Sequence, residues 1–340
     1  MSQFNNEDYF QINTDILTSF SKYRLPLNLY VFREEISVLE PYYKKGTRLT
    51  DAKVEELSAL CAAGMIFVAR SDQNIYRKHM LQQLDLILLD EALSDAERAE
   101  LCIAALVMRY KNYYEQPVPD IMEILFRDTM VVTEYLWNDK HRINAFMRRL
   151  FRKAKPARHA VNTMIVGTWL LLQKSGEMTR KEFDRTVFAL LLHDAGMSKI
   201  PEFILAKRTK LTGEEMDKIM QHPITAVRMM QKSDLKFDEI VHACFEHHER
   251  LDGSGYPQRS KGNQISPVGR LTAVADSFSA MICERSYAPA KEPAKAANEL
   301  MNDQRYDHAF TAKLATAYVP NSPIAEPVDM DSRLEELYKD

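Results

Sequence analysis

The sequence predicts an α+β chain: a small N-terminal α/β module, then helices, then an all-α C-terminal domain. Three patterns carry this reading. Apolar residues alternate near position 30, they recur at helical spacing from about position 80 onward, and helix-start signals crowd the segment from 159 to 320.

Leu27, Leu29 and Val31 alternate with other residues as a strand does, and Ile36 to Leu39 is the expected partner. Thr50 is placed to cap a helix whose apolar positions are Val54, Leu57, Leu60 and Cys61. Gly64 ends it before the strand-like Met65-Ile66-Phe67-Val68. These elements define an α/β module over residues 1–78, regulatory or sensor-like in size. Leu81, Leu84 and Leu88 then share a helical stripe, and Ser94 to Glu97 forms a capping box before Leu101, Ala105 and Met108. Pro117 and Pro119 interrupt this helical connector, which runs over 79–142.

The third unit, 143–320, opens on a basic stretch containing Arg148, Arg149, Arg152, Lys153, Lys155 and Arg158, read as a solvated helix face. Thr179 to Glu182 and Thr212 to Glu215 are capping boxes, and Ser266-Pro267 pairs an N-cap with proline at the first helical position. Residues 321–340 form a tail. The segment PNSPIAEP that leads into it, three prolines in eight residues, reads as a linker or frayed end.

At 340 residues the chain holds two or three compact units. With 46% hydrophobic and 27% charged residues and a formal net charge of -3, it has no bulk attraction to a nucleic-acid polymer or a membrane. No apolar run approaches the roughly 18 residues of a membrane span, and the polar start MSQFNNEDYF lacks a basic-then-apolar leader. A cytoplasmic location is expected. Cys61, Cys102, Cys244 and Cys283 show no CxxC spacing, so neither a zinc knuckle nor a disulfide framework is indicated.

Chemistry gathers in the C-terminal half. His159, His193, His222, His247 and His248 fall on predicted helices or at their ends, with Asp194 and Asp276 among them. His193 and Asp194 close the apolar run from Val187 to Leu192, where an unpaired carboxylate would cost several kcal/mol or more. A metal removes that cost, and an aspartate can bridge two ions. His247 and His248 point about 100° apart on a helix, so both reach one ion only where the helix ends. The loop Glu249 to Pro257, with two glycines and a proline, supplies that end.

The ordered series His193-Asp194, His222-Pro223, His247-His248-Glu249, Asp252-Gly-Ser-Gly-Tyr-Pro257, Ala275-Asp276 and Arg285-Ser-Tyr287 resembles the signature of the HD-GYP family of metal-dependent phosphodiesterases, with His159 as its upstream histidine. The resemblance implies an all-helical HD-type domain that opens cyclic di-GMP to linear pGpG, with GMP as a further product. It implies one divalent metal on His159, His193, Asp194 and Asp276 and a second on Asp194, His222, His247 and His248, iron first and manganese second. Two such ions provide a bridging hydroxide for attack on phosphorus. Asp194 and Arg285 become the catalytic residues, and Gly255, Tyr256 and Arg285 the substrate contacts. The N-terminal module, loosely like the small α/β domains that precede some family members, is a candidate for a protein partner.

Three positions depart from the family pattern. Lys155 stands where members with three metals carry glutamate, so two metals are expected. Met197 replaces a phosphate-holding lysine, with Lys199 two residues on, and Ala288 replaces a basic residue after Arg285. Each missing cation would cost about 1.5 to 3 kcal/mol of phosphate binding. Two alternatives follow: a metal-containing receptor for the dinucleotide, and a related enzyme for another cyclic dinucleotide or a mononucleotide.

Overall fold

The computed structural model describes residues 8–12, 24–33, 38–72, 75, 83–90, 93–173, 178–207, 209–285, 288–324 and 326–338. The chain divides into two compact units, Met1–Cys102 with Leu334–Asp340, and Ile103–Arg333. The helices expected as a separate connector over 79–142 are therefore shared between the two.

The first unit carries a four-stranded sheet of β1 (Tyr9–Gln11), β2 (Leu29–Arg33), β3 (Val38–Tyr43) and β4 (Ile66–Ala69), in the order β1-β4-β2-β3. Every pairing is antiparallel. The expected partner of β2 lies slightly later than residues 36–39, pairing Phe32 with Leu39 and Val31 with Glu40, and residues 36 and 37 lie outside the described set. Leu29, Val31, Ile66 and Val68 are buried, as the alternation requires. Helix α1 (Asp51–Ala62) starts where Thr50 accepts a hydrogen bond from the Lys53 amide, and it buries Leu57 and Cys61.

The second unit is helical. Its principal helices are α2 (Asp95–Glu115, entering from the first unit), α3 (Pro119–Asn138), α4 (Pro156–Leu172), α5 (Arg180–Leu192), α6 (His222–Met230), α7 (Asp238–Glu246), α8 (Pro267–Met281), α9 (Pro293–Met301), α10 (His308–Thr316) and α11 (Met330–Leu337, leaving it). Helix α4 is buried from Ala157 to Leu171 and packs against α5 and α8. The predicted caps form: Thr179 and Glu182 exchange hydrogen bonds at the start of α5, and the Ser266 hydroxyl accepts from the Gly269 amide at the start of α8. Phe126 of α3 meets Phe188 of α5 edge-on at 5.0 Å, joining the helices before residue 143 to those after it.

Two expectations fail here. The basic stretch is not a uniformly solvated face, because Arg149 and Arg158 are buried. The prolines after Val319 do not mark a frayed end. Ile324 is buried, and the Val328 amide donates to the Arg148 carbonyl at 2.6 Å. Asp331 at the start of α11 accepts from the Arg158 guanidinium and from the amides of Arg152 and Lys153 at 2.7 and 3.0 Å. A buried guanidinium requires such a partner, and the tail supplies it. Among the described residues no helix is long and apolar enough to cross a membrane.

Candidate metal centre

Five segments converge on one point. Helix α4 presents His159, the end of α5 presents His193 and Asp194, the start of α6 presents His222, the end of α7 presents His247 and His248, and α8 presents Asp276. The Asp194 carboxylate faces two ways. Its Oδ2 lies 3.7 Å from Nε2 of both His159 and His193, while Oδ1 lies 3.1 Å from Nε2 of His222 and 3.5 Å from Nε2 of His247. Asp276 Oδ1 lies 2.9 Å from His159 Nε2 and 3.7 Å from His193 Nε2. Two groups of candidate ligand atoms result, His159, His193 and Asp194 on one side and Asp194, His222, His247 and His248 on the other. Lys155 belongs to neither. It is exposed at the N-cap of α4.

The hydrogen bonds define which nitrogens face inward. Nδ1 of His193, His222 and His247 donates to the carbonyls of Leu190, Ile219 and Ala243 at 2.8, 2.7 and 3.0 Å. A carbonyl only accepts, so each Nδ1 carries a proton, and in the neutral, ligating form such a ring turns its Nε2 lone pair toward Asp194. His193 Nε2 is buried without a hydrogen-bond partner. His222 Nε2 and His247 Nε2 face each other at 3.1 Å. Lone pairs so close repel unless a cation lies among them, and these residues fit a bound divalent metal. Carbonyl-anchored imidazoles with shared carboxylates suit Fe, Mn or Zn.

Electrostatics agree with that fit. Burial pushes Asp194 upward, but His193, His222 and His247 outweigh it and hold the carboxyl well below the usual range. Burial acts likewise on Asp276, outweighed by His159 and His193. Burial, aided by neighbouring imidazoles, keeps His247 below and His248 well below the ordinary histidine value, so both favour the neutral, ligating form. In His193 burial lowers the value, while Asp194 and Asp276 raise it more.

The loop after α7 is built around Glu249. Its buried carboxylate accepts from the amides of Gln258, Arg259 and Ser260 at 2.6, 3.1 and 3.0 Å, tying the loop to the helix end that carries the paired histidines. Tyr256 stacks on His248 with ring centroids 4.6 Å apart. Gly255 does not line the neighbouring cavity. A Cβ there would lie 2.4 to 2.6 Å from the backbone of His248, Glu249 and Arg250, so glycine is required for packing. Gly196 has a similar role, since its Cβ would meet the His222 carbonyl oxygen at 2.0 Å. Gly196→Ala is expected to cost about 1 to 3 kcal/mol through forced backbone movement and to lower metal occupancy by displacing His222. Thermal unfolding and metal analysis of the purified variant check this.

The centre opens on a cavity of about 390 Å³ whose lining includes Asp194, Met197, His248, Arg250, Tyr256 and Arg285. Arg285 exchanges backbone hydrogen bonds with Ala288, and residues 286 and 287 lie outside the described set. Met197 occupies the lining, whereas Lys199 is exposed and does not reach it. The signature series contained Glu249 without giving it a role, and sequence reasoning missed Arg250, Ser277 and Tyr306. Glu249 and Arg250 directly follow the paired histidines, which was the available signal. Nothing in the sequence marked Tyr306.

Residues 146–310 match the family model of the HD domain. Over 135 residues the chain is 38% identical to a cyclic di-GMP phosphodiesterase of Thermotoga maritima, covering 39% of this chain and 37% of that one. Residues 146–310 are thus similar both to the HD domain model and to part of a cyclic di-GMP phosphodiesterase. A cyclic di-GMP phosphodiesterase of Pseudomonas aeruginosa is 36% identical to the chain over 129 residues, 38% of this chain and 30% of the relative. A 3'3'-cGAMP-specific phosphodiesterase of Vibrio cholerae is 35% identical over 125 residues, 36% and 24% of the two chains. The similarity to each thus spans well under half of the relative's length. An HDG"Y"P protein from Bdellovibrio bacteriovorus shares the fold, with a TM-score of 0.60 at 17% identity over 91% of this chain and 99% of that one.

Proposed function

We propose that this HD-GYP domain is a phosphodiesterase that hydrolyses cyclic di-GMP to pGpG, with GMP as a further product. The observation that carries the reading is the pair of ligand groups sharing Asp194 beside a cavity that also presents Arg285. Similarity to cyclic di-GMP phosphodiesterases supports the substrate. His159, His193, Asp194 and Asp276 would hold one divalent cation and Asp194, His222, His247 and His248 the other, with iron the first choice and manganese the second. When bound, the pair supplies an activated water and neutralises charge that develops on the phosphate. The chain's own residues do the rest. Arg285 provides a planar fork of donors for a phosphate, Tyr256 closes one wall over His248, and the buried helix ends keep bulk water from the far side of the ligands. We further propose a cytoplasmic location and a protein partner for the N-terminal unit.

Protein purified anaerobically and loaded in turn with Fe, Mn and other divalent metals should convert cyclic di-GMP to pGpG on chromatography, and chelation should abolish the conversion. Absence of turnover with every metal overturns the reading. Competition with 3'3'-cGAMP and mononucleotides tests the choice of substrate, since relatives differ on this point. A second reading, a receptor that binds without turnover, is favoured by Met197 in the cavity lining. Calorimetric binding without product would select it.

A further inference from the structure

Within the phosphodiesterase reading, two cations expected for phosphate are missing, and the cavity supplies a different one. We propose that Arg250, held by Ser277 and Tyr306, is a phosphate-binding residue of this cavity. All three line it. Arg250 Nη1 donates to the carbonyls of His247 and Glu249 at 3.0 and 2.8 Å, and Nη2 makes a long contact of 3.4 Å to the Ser277 hydroxyl. Its guanidinium lies over the Tyr306 ring, 4.6 Å from the centroid, and the Tyr306 and Ser277 hydroxyls are hydrogen-bonded at 2.9 Å. The Leu251 amide donates to the Arg305 carbonyl at 2.9 Å, fixing the Tyr306 segment beside the loop.

This arrangement orients the guanidinium without neutralising it. A guanidinium has five N–H donors. Three are engaged, which leaves Nε and one hydrogen of Nη2 for an incoming acceptor. No carboxylate pairs with Arg250 among the described residues. The nearby Asp303 carboxylate is taken by Arg305 at 2.6 to 3.1 Å. A half-buried cation with no carboxylate within salt-bridge distance among the described residues, stacked on an aromatic ring and facing a cavity beside the candidate metal centre, is suited to the charge and planarity of a phosphodiester. A cyclic dinucleotide carries two phosphates. Only one is cleaved at a time, so the other needs a cation away from the metals.

The test uses the full chain loaded with manganese. Binding of cyclic di-GMP is measured by calorimetry for the wild type, Arg250→Met and Arg250→Lys, with metal content determined for each. Arg250→Met is expected to weaken binding roughly tenfold or more at wild-type metal content, with much of the loss recovered in Arg250→Lys. Where turnover is measurable, KM carries the change rather than kcat. Equal affinity in all three proteins, including no binding by any, overturns the assignment. So does a loss that tracks lost metal in both variants, which would make Arg250 a support for the His247 carbonyl only. Wild-type binding without turnover counts against the phosphodiesterase reading and leaves the Arg250 assignment standing or falling on the affinities.

Discussion

Asp194→Ala is expected to strip most of the bound metal and lower cyclic di-GMP turnover more than about 100-fold. Loss of groups that merely orient a metal ligand already costs about 10- to 100-fold, and among the described residues Asp194 alone is common to both ligand groups. Its removal would also leave the Nε2 atoms of His222 and His247 facing each other at 3.1 Å with no anion between the two groups. Lys155→Ala is the matched control, because Lys155 is exposed and outside both groups. Metal analysis of the two variants beside the wild type decides the matter. Equal metal in wild type and Asp194→Ala refutes the bridging role.

The second large effect concerns stability. Asp331→Ala leaves Arg158 as an uncompensated buried charge and deprives the amides of Arg152 and Lys153 of their acceptor. Breaking a buried pair in this way costs about 3 to 5 kcal/mol, and for a domain of this size that lowers the melting temperature by on the order of 10 °C. The double variant Arg158→Met with Asp331→Leu should recover only part of the loss, since it does not restore the Asp331 acceptor to the two amides. Calorimetric melting of the single and double variants measures both quantities. A melting temperature unchanged in Asp331→Ala would mean that the Arg158–Asp331 pair does not hold the tail to the helical unit.

How much of this was legible in advance depended on whether the relevant contacts were local. The metal-binding candidates stood out because each sits at a helix end or on a helix bounded by readable caps, and the order of the series is itself distinctive. The caps at Thr179, Thr212 and Ser266 were local signals, and all three formed. The tail was misread because a proline cluster looks alike whether it frays or packs. Its meaning rests on the Arg158–Asp331 pair, whose members are 173 residues apart. Strand β1, three residues long, is too short to display any period. The resemblance made Gly255 a substrate contact, and here the chain's own backbone lies against it. Arg250 and Tyr306 illustrate the same limit, since their stacking joins two loops that no sequence pattern connects.

The carbonyl anchors on His193, His222 and His247 have a further consequence. Because Leu190, Ile219 and Ala243 fix each ring through its Nδ1 proton, the rings are oriented by folding itself, before a cation arrives. An unfolded chain keeps the same histidines but not their orientation. A cation that binds only these oriented rings would therefore favour the folded population, and each tenfold rise above its dissociation constant would add about 1.4 kcal/mol to the stability of the native state. The helical unit would then register metal availability through its own stability.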